Sequence, residues 1–299
     1  MTRELWLIFA GGLYILLFFG AVVGLGIWKA KRRRTRPPVE FKFLRGPGET
    51  LRRRISKFDE DILLRLGAPA IIPVLVALTG LGAVVRFHPQ TWTQLWVGLA
   101  IIGLAFSITL ILAFRWALRD LMRYRDDNLG YLGERFVGDC LEPLKRKGWF
   151  VFHDVPGEAD KRKFNIDHVA VGPGGIWAIE TKTRRKGRAR PGFEPQKVFF
   201  DGKQLIWPWG EDTYGPEQAR RNADWLQEWL FKRTGIRVEV RPALALPGWY
   251  VVDQVRGPLR VVKPEWLSED LPKAGSVLTT AQIDLIARQL DQYCRDVED

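Results

Sequence analysis

The sequence predicts an α/β fold with a mixed sheet, preceded by an α-helical region of the kind found in membranes. Two observations carry this prediction. The first 114 residues contain three long apolar runs. From about residue 128, helical and strand periodicities follow one another in the order helix, three strands, helix, strand, or αβββαβ. With 299 residues the chain has room for one or two domains.

The apolar runs cover residues 5–28, 67–85 and 92–114. Each has about the length that crosses the roughly 30 Å hydrocarbon core of a bilayer. Basic residues follow the first run where a signal peptide would have small residues and a cleavage site, so we interpret it as a retained transmembrane helix. The second run is the weakest candidate for a transmembrane helix, because it contains Pro69 and Pro73. We expect it to pair with the third run as a transmembrane hairpin over residues 67–114.

The basic residues predict an orientation. The formal net charge is +12, and lysine and arginine are concentrated in a basic linker, residues 29–66, and in the stretch after residue 114. The loop at 86–91 has a single arginine. Because basic residues favour the cytoplasmic side, we expect a multi-pass protein of the cytoplasmic (inner) membrane, with its N-terminus outside and everything after residue 115 in the cytoplasm. Contact with anionic lipid is the favoured explanation of the linker charge, and contact with nucleic acid is the alternative.

The remaining elements follow in order. An apolar stripe predicts a helix at 128–147, with Pro143 causing a bend or an early end and Gly148 as its cap. Strands are predicted at 149–155, 164–171 and 175–182, with a tight Gly-Pro-Gly-Gly turn between the last two. A hairpin follows around Asp201-Gly202, then a helix at 216–234 and a strand at 238–246. Residues 251–299, with a helix at 280–294, are expected to pack on this core as a C-terminal extension.

Three charged residues stand in the second and third strands. Glu180 and Lys182 are two apart and therefore point to the same face, and Asp167 reaches them if the strands are neighbours. Charges inside a strand are costly unless they pair or bind a metal. Two carboxylates and an ammonium suit phosphodiester hydrolysis with Mg²⁺, for which Mn²⁺ is a substitute. The three histidines are not expected to cluster, and we interpret His168 as a core residue rather than a metal ligand.

These motifs resemble the PD-(D/E)xK nuclease superfamily, with Glu180-Thr181-Lys182 as the ExK element, and more closely the NERD (nuclease-related) domain. Gly130-Tyr131-Leu132-Gly133-Glu134 resembles its opening GxxGE element and Ile166-Asp167-His168 its IDH segment. Ile166 stands where the superfamily has its proline. The resemblance implies a restriction-endonuclease-like core over residues 128–250. It also implies Asp167 and Glu180 as metal ligands, and as catalytic residues Glu134, Asp167, Glu180, Lys182 and Gln218.

Simpler roles are also open for some of these residues. Glu134 would otherwise be a solvent-facing first-turn glutamate, and Gln218 a capping amide.

A basic loop leaves the third strand, and we expect it to contact a nucleic-acid backbone, the alternative being a solvated loop. Its basic residues are Arg184, Arg185, Lys186, Arg188 and Arg190. The aromatic residues at 193–209 either cover a sheet edge, which is favoured, or stack on bases.

Three functions compete. The first is a membrane-anchored, Mg²⁺-dependent nuclease acting on nucleic acid, with DNA favoured. The second is a catalytically silent module on a nuclease fold that binds nucleic acid or a partner. The third is a structural protein in which Asp167 and Lys182 form an ordinary ion pair, so that Lys182→Ala would destabilise the domain, whereas a catalytic Lys182 would leave its stability almost unchanged. ATP-driven translocation, zinc proteolysis and serine hydrolysis are not supported, since their motifs do not occur. The sequence does not decide whether the substrate is DNA or RNA, or whether cleavage is endo- or exonucleolytic. It also does not show whether two copies pair.

Overall fold

The computed structural model describes residues 43–255 and 257–296, together with Gly20 and Gly24. The predicted first transmembrane helix and residues 29–42 of the predicted linker lie outside the described residues, apart from those two glycines. The chain forms two compact units, each made of two chain segments. The first comprises Met1–Glu40 and Ile55–Arg125, and the second comprises Phe41–Arg54 and Asp126–Asp299.

Two long helices carry the second and third apolar runs. They are α1, Glu49–Phe87, and α2, Trp92–Leu141. By length and composition, the stretches Leu64–Phe87 and Trp92–Lys147 could each cross a membrane. Both helices are longer than the sequence predicts, because the flanking segments contain good helix formers. In α1 these include pairs one turn apart such as Arg65 with Asp61 at 3.8 Å, and the helix continues through Pro69 and Pro73.

The second unit contains the strands. In the described part of the chain these are β1 Phe150–Ala159, β2 Arg162–Gly172, β3 Gly175–Thr181, β4 Lys197–Phe200, β5 Leu205–Trp207, β6 Gly210–Asp212, β7 Val240–Ala245, β8 Tyr250–Asp253 and β9 Arg260–Val262. A five-stranded sheet has the order β1-β2-β3-β7-β9. Its first three strands are antiparallel, whereas β7 and β9 run parallel to β3, so the sheet is mixed as predicted.

Helices cover both faces of this sheet. On one face pack α3, Tyr214–Thr234, and α5, Thr280–Asp296. On the other lie the end of α2, the 3₁₀ helix Glu142–Lys147 and the short helix α4, Leu267–Asp270. The buried residues of β3 alternate between these two apolar clusters, with Ile176 on the first face and Trp177 on the second. The predicted helix–strand order around the sheet is therefore present, and the C-terminal helix packs on the core.

The predicted turns also form. Pro143 lies in the first turn of the 3₁₀ helix, which ends at Gly148 with a left-handed φ of 76°. The β2–β3 hairpin closes with Gly172 opposite Gly175. Both observations agree with the early helix end and the tight turn expected from the sequence.

A second sheet, not foreseen as a separate one, has the order β6-β5-β4-β8. The predicted hairpin is its centre, since β4 and β5 pair antiparallel. Phe200 and Trp207 are buried there, and Trp249 packs edge-on against Trp207 with ring centres 4.9 Å apart. Phe200, Trp207 and Trp249 lie inside an apolar cluster and do not offer faces for stacking, whereas Trp209 is 37% exposed.

Candidate active site

Glu180 and Lys182 meet where β3 ends. Lys182 Nζ donates to Glu180 Oε1 at 2.7 Å, and the carboxylate is almost fully buried, with 3% of its side chain exposed. Asn222 Nδ2 donates to the other carboxylate oxygen at 2.9 Å. Glu180 is thus held by a cation on one side and by an amide on the other. The predicted shared face of Glu180 and Lys182 is observed.

Asp167 lies on β2 beside this pair. The β2–β3 ladder ends at His168 opposite Ile179, and beyond it Asp167 Oδ2 accepts a hydrogen bond from the Thr181 N–H at 2.7 Å. Its second oxygen, Oδ1, accepts no hydrogen bond from any residue that the structure describes. The ammonium of Lys182 pairs with Glu180 and not with Asp167. The aspartate therefore keeps an acceptor atom for a further ligand.

One face of α3 supplies a polar stripe to the site. Gln218 Oε1 accepts a hydrogen bond from Lys182 Nζ at 2.8 Å, and Asn222, one turn later, holds Glu180. Tyr214 lies one turn earlier, with its ring centre 5.5 Å from Lys182 Nζ. Spacings of four residues place these side chains above one another on a helix. Gln218 thus contacts the site directly, and so does Asn222, which was not predicted as a site residue and lies among the apolar residues along α3.

The GxxGE segment lies in α2 and brings Gly133 against the residue that follows Lys182. A Cβ on Gly133 would fall 1.7 Å from Thr183 Oγ1, so only glycine lets the helix approach the residue after Lys182. Glu134 follows directly and is partly buried. Its carboxylate accepts no hydrogen bond from the part of the chain that the structure describes. The helix thereby carries a third carboxylate to the end of β3.

The pKa of each of the three carboxyls is raised, and burial is the largest cause in every case. Burial, together with the charges of Asp154 and Glu180, raises the pKa of Glu134 to about 8, against smaller opposite effects of Lys182 and Arg54. Burial and the neighbouring Glu180 and Glu134 raise the pKa of Asp167 well above its usual value. Burial also raises the pKa of Glu180, although Lys182 opposes it. The site therefore brings together more carboxyl groups than the one ammonium of Lys182 could neutralise if all were ionised.

The pKa of Lys182 is also raised, but by neighbouring carboxylates and not by burial. Burial alone would lower its pKa, but Glu180 and Asp167 outweigh burial, and the pKa of Lys182 is raised. The ammonium consequently stays charged at neutral pH. A charged lysine next to partly protonated carboxyls is suited to bind an anionic oxygen of a substrate.

Among the described residues, no group of three or more His, Cys, Asp or Glu side chains is arranged to hold a metal ion. Asp167 and Glu134 nevertheless offer carboxylate oxygens without a hydrogen bond from the described chain. The acids exceed the cations here, and Mg²⁺ is commonly held by only one or two carboxylates together with waters. Carboxylate oxygens are the ligand type that Mg²⁺ takes, and its binding by Asp167 and Glu180, with Glu134 beside them, stays a prediction.

Residues 129–247 match the NERD, or nuclease-related, domain. The matched NERD region includes all five predicted catalytic residues and extends from α2 to just beyond β7. It covers less than half of the chain. No curated protein and no solved structure matches this chain.

The basic loop after β3 is exposed in its first half, and part of its charge is already compensated. Arg184 Nη2 lies 3.3 Å from Asp212 Oδ2, and Arg185 Nη1 lies 2.8 Å from Asp126 Oδ1. Arg190 lies at 4.0 Å from Glu211. Lys186 lies over the ring of Trp249 at 5.9 Å, and Arg188 is exposed. Nucleic-acid contact by this loop stays a prediction.

The prediction that the histidines do not cluster is wrong for two of them. His153 on β1 stands opposite His168 on β2, and their Nδ1 atoms are 2.8 Å apart. Both rings are buried, and burial lowers the pKa of His153 to about 4 and that of His168 well below its usual value. The error arose because the strand register was not known from the sequence. As expected, His168 is a core residue, since its side chain is fully buried.

Proposed function

We propose that the NERD region is a metal-dependent nuclease of the PD-(D/E)xK type, which hydrolyses phosphodiester bonds of nucleic acid, DNA in the first place. The observation that carries the proposal is the group of Glu134, Asp167 and Glu180, three carboxyls of raised pKa, around the single ammonium of Lys182. A fold rarely keeps such an excess of buried acid without a function, because each charge is costly to desolvate.

The side chains divide the work according to their contacts. Asp167 and Glu180 would hold Mg²⁺ or Mn²⁺, which when bound supplies charge neutralisation and a water of lowered pKa. Lys182, fixed by Glu180 and Gln218, directs its ammonium to a phosphate oxygen and stabilises the charge that develops there. Asn222 orients Glu180 through its amide. Glu134, with a pKa of about 8, is able to accept a proton near neutral pH.

The proposal also includes the cellular location of the reaction. The two apolar helices would anchor the protein in the cytoplasmic membrane, and the basic residues on either side favour an orientation with the NERD region in the cytoplasm. The exposed arginines and lysines of the loop at 184–190 would contact the backbone of the nucleic acid. Two copies would be needed to cut both strands of a duplex in one event.

The test uses the full chain in detergent micelles. We expect plasmid, single-stranded DNA or RNA to be cleaved with Mg²⁺ or Mn²⁺ and not with EDTA. Asp167→Asn and Glu180→Gln should lower the rate at least about 100-fold, since each removes a ligand. Glu228→Gln, an exposed position on α3, is the matched control and should cleave normally. Cleavage that persists equally in all variants would reject the assignment.

A second function is favoured by one observation. Both oxygens of Glu180 already accept hydrogen bonds from Lys182 and Asn222, so the carboxylate is satisfied without a metal. This arrangement fits a silent module that binds nucleic acid or a partner through the same face. Calorimetry with Mg²⁺, Mn²⁺ and Ca²⁺ separates the two cases. The nuclease requires divalent binding that Glu180→Gln weakens, whereas the silent module requires none.

A further inference from the structure

Tyr214 is an exposed aromatic residue at the edge of the candidate site. It is the first residue of α3 and exposes 60% of its surface. Its ring centre lies 5.5 Å from Lys182 Nζ and 5.6 Å from Arg221 Cζ. Asp212 Oδ1 accepts a hydrogen bond from its backbone N–H at 2.9 Å, which fixes the start of the helix. A large apolar surface is thus held among cations at the active site.

Packing does not account for this ring. Tyr214 belongs to none of the three buried apolar clusters of the described chain. Two other aromatic residues of α3, Trp225 and Trp229, do pack against one of those clusters. The tyrosine hydroxyl forms no hydrogen bond with a residue that the structure describes. The ring is therefore available to a ligand, and its neighbours determine which kind.

We infer that Tyr214, Lys182 and Arg221 form a base-binding subsite that stacks one unpaired base of a single-stranded nucleic acid. This inference rests on the proposed function, since it assumes that a phosphodiester lies at Lys182. Every base has a π-face, so stacking on tyrosine is tolerant of sequence. In a duplex both faces of each base are covered by neighbouring pairs. An exposed ring beside the site therefore selects strands whose bases are free.

The charges next to the ring match the phosphate of the stacked nucleotide. Arg221 pairs with Glu217 at 3.5 Å, but both side chains expose 57% of their surface. Such an exposed pair contributes at most about 1 kcal/mol and exchanges readily for a phosphate. Lys182 Nζ lies over the same ring, 5.5 Å from its centre. A base on Tyr214 would thus bring its own phosphate within reach of the lysine that we assign to catalysis.

The experiment measures binding without cleavage. The full chain in detergent is titrated with a single-stranded oligonucleotide that carries one 2-aminopurine, in EDTA. We expect the fluorescence to be quenched by stacking in the wild type and in Tyr214→Phe. Tyr214→Ala should lose the quenching and weaken binding about 5- to 150-fold, the range of one base–aromatic contact. The salt dependence of binding should not change, because no charge is removed.

Tyr250 supplies the matched control. It is also exposed, at 48%, and lies within 5.7 Å of Lys197 Nζ and 5.2 Å of Lys263 Nζ, but on β8 of the second sheet. Tyr250→Ala should bind and quench like the wild type. Equal losses in both alanine variants, or an unchanged Tyr214→Ala, would overturn the inference. The inference would also be overturned if Tyr214→Ala weakened the binding of the matching duplex as much as that of the single strand.

The inference and the proposed function can fail separately. If the wild type cleaves single strands in Mg²⁺ and Tyr214→Ala leaves KM unchanged, the nuclease stands and the subsite is rejected. If quenching depends on Tyr214 while no divalent metal supports cleavage, the subsite stands and belongs to a binding module. In the expected outcome, Tyr214→Ala raises KM for single strands and leaves that of a duplex unaltered.

Discussion

Arg45 Nη1 lies 2.9 Å from Asp154 Oδ2, and each of the two side chains exposes only 3% of its surface. Thr50 donates to the same oxygen from its backbone at 3.1 Å and from its hydroxyl at 2.8 Å. Asn165 Nδ2 donates to the other oxygen at 2.9 Å. The segment at the start of α1, which includes Arg45 before the helix and Thr50 in its first turn, is thereby fixed to β1 and β2. The folded unit consequently includes residues far outside the NERD region.

Replacing Arg45 by alanine should destabilise the second unit by about 3–5 kcal/mol, because a buried carboxylate loses its charge partner. Burial already raises the pKa of Asp154, and Thr50 and Arg45 oppose that rise. Without Arg45 the pKa of this carboxyl should rise further, so the loss is largest above neutral pH. Urea unfolding of the full chain, followed by tryptophan fluorescence, measures the effect.

The control for Arg45 is Arg52, which pairs with Glu49 at 2.8 Å but exposes 57% of its side chain. Arg52→Ala should change the unfolding free energy by less than about 1 kcal/mol. Equal effects of the two substitutions would contradict a structural role of the buried pair. A fragment that starts at residue 128 would lack Arg45 and Thr50, which is why the assays above use the full chain.

A methyl group on Gly133 should separate α2 from the end of β3. The added Cβ would lie 1.7 Å from Thr183 Oγ1 and 2.9 Å from Thr183 Cβ. Gly133→Ala should therefore cost about 1–3 kcal/mol of stability, as overpacking typically does, and should slow any cleavage. Gly103→Ala in the same helix is the control, since nothing lies within 4 Å of its added Cβ. Removing the hydroxyl and methyl with Thr183→Ala should restore part of the loss.

The stability of the second unit should fall as pH rises from about 4.5 to about 8. The folded-state pKa of Glu134, about 8, exceeds the ordinary value of 4.5, so the folded protein binds the extra proton in that interval. Each unit of pKa difference corresponds to about 1.4 kcal/mol, and the total loss is a few kcal/mol. Glu134→Gln should reduce this dependence to what Asp167 and Glu180 contribute, and it should be the more stable protein at pH 9.

Unfolding free energies at pH 5, 7 and 9 test this expectation. Glu228→Gln, an exposed position on α3, should follow the wild-type curve. The groups that act on Glu134 are Asp154 and Glu180, which raise its pKa, and Lys182 and Arg54, which lower it. Parallel curves for the wild type and Glu134→Gln would show that this carboxyl does not carry the pH dependence.

Lys182→Met should lower stability and activity together. The sequence alone led us to expect that a catalytic Lys182 would hardly affect stability, but the buried Glu180 depends on it for a 2.7 Å ion pair. We expect a loss of about 3–5 kcal/mol at pH 8 and less at pH 5, where Glu180 is more readily protonated. Cleavage should drop about 100-fold or more even where the protein is folded. Lys232→Met, at an exposed position on α3, is the control, and an equal loss there would contradict a special role of Lys182.

The sheet and the centre of the site could be predicted from the sequence for a simple reason. Side chains alternate along a strand, so Glu180 and Lys182 had to share a face, and the short Gly172–Gly175 turn brought Asp167 beside them. The helix that carries Gln218 was marked by Pro216 and by its apolar stripe. Local rules of periodicity and turn chemistry were sufficient for these parts.

The remaining contacts depend on register and on distant segments. The His153–His168 pair follows from the β1–β2 register, which no local pattern specifies. Asn222 stands in an apolar stripe, and its polarity was the one sign that it meets a buried charge. Only the folded chain shows that Lys182 Nζ lies over the ring of Tyr214. The same is true of the hydrogen bond from Arg45 to Asp154.

The division of the second unit into two chain segments has a consequence for biosynthesis. Arg45 and Asp154 are 109 residues apart in sequence, and both apolar helices lie between them. At roughly 5–20 residues per second, the ribosome delivers the carboxylate about 5 to 20 s after the arginine. The strands of the central sheet emerge only after both apolar helices have been synthesised. Assembly of the nuclease-related fold is therefore a late event in translation, and a chain arrested in either apolar helix cannot carry a finished site.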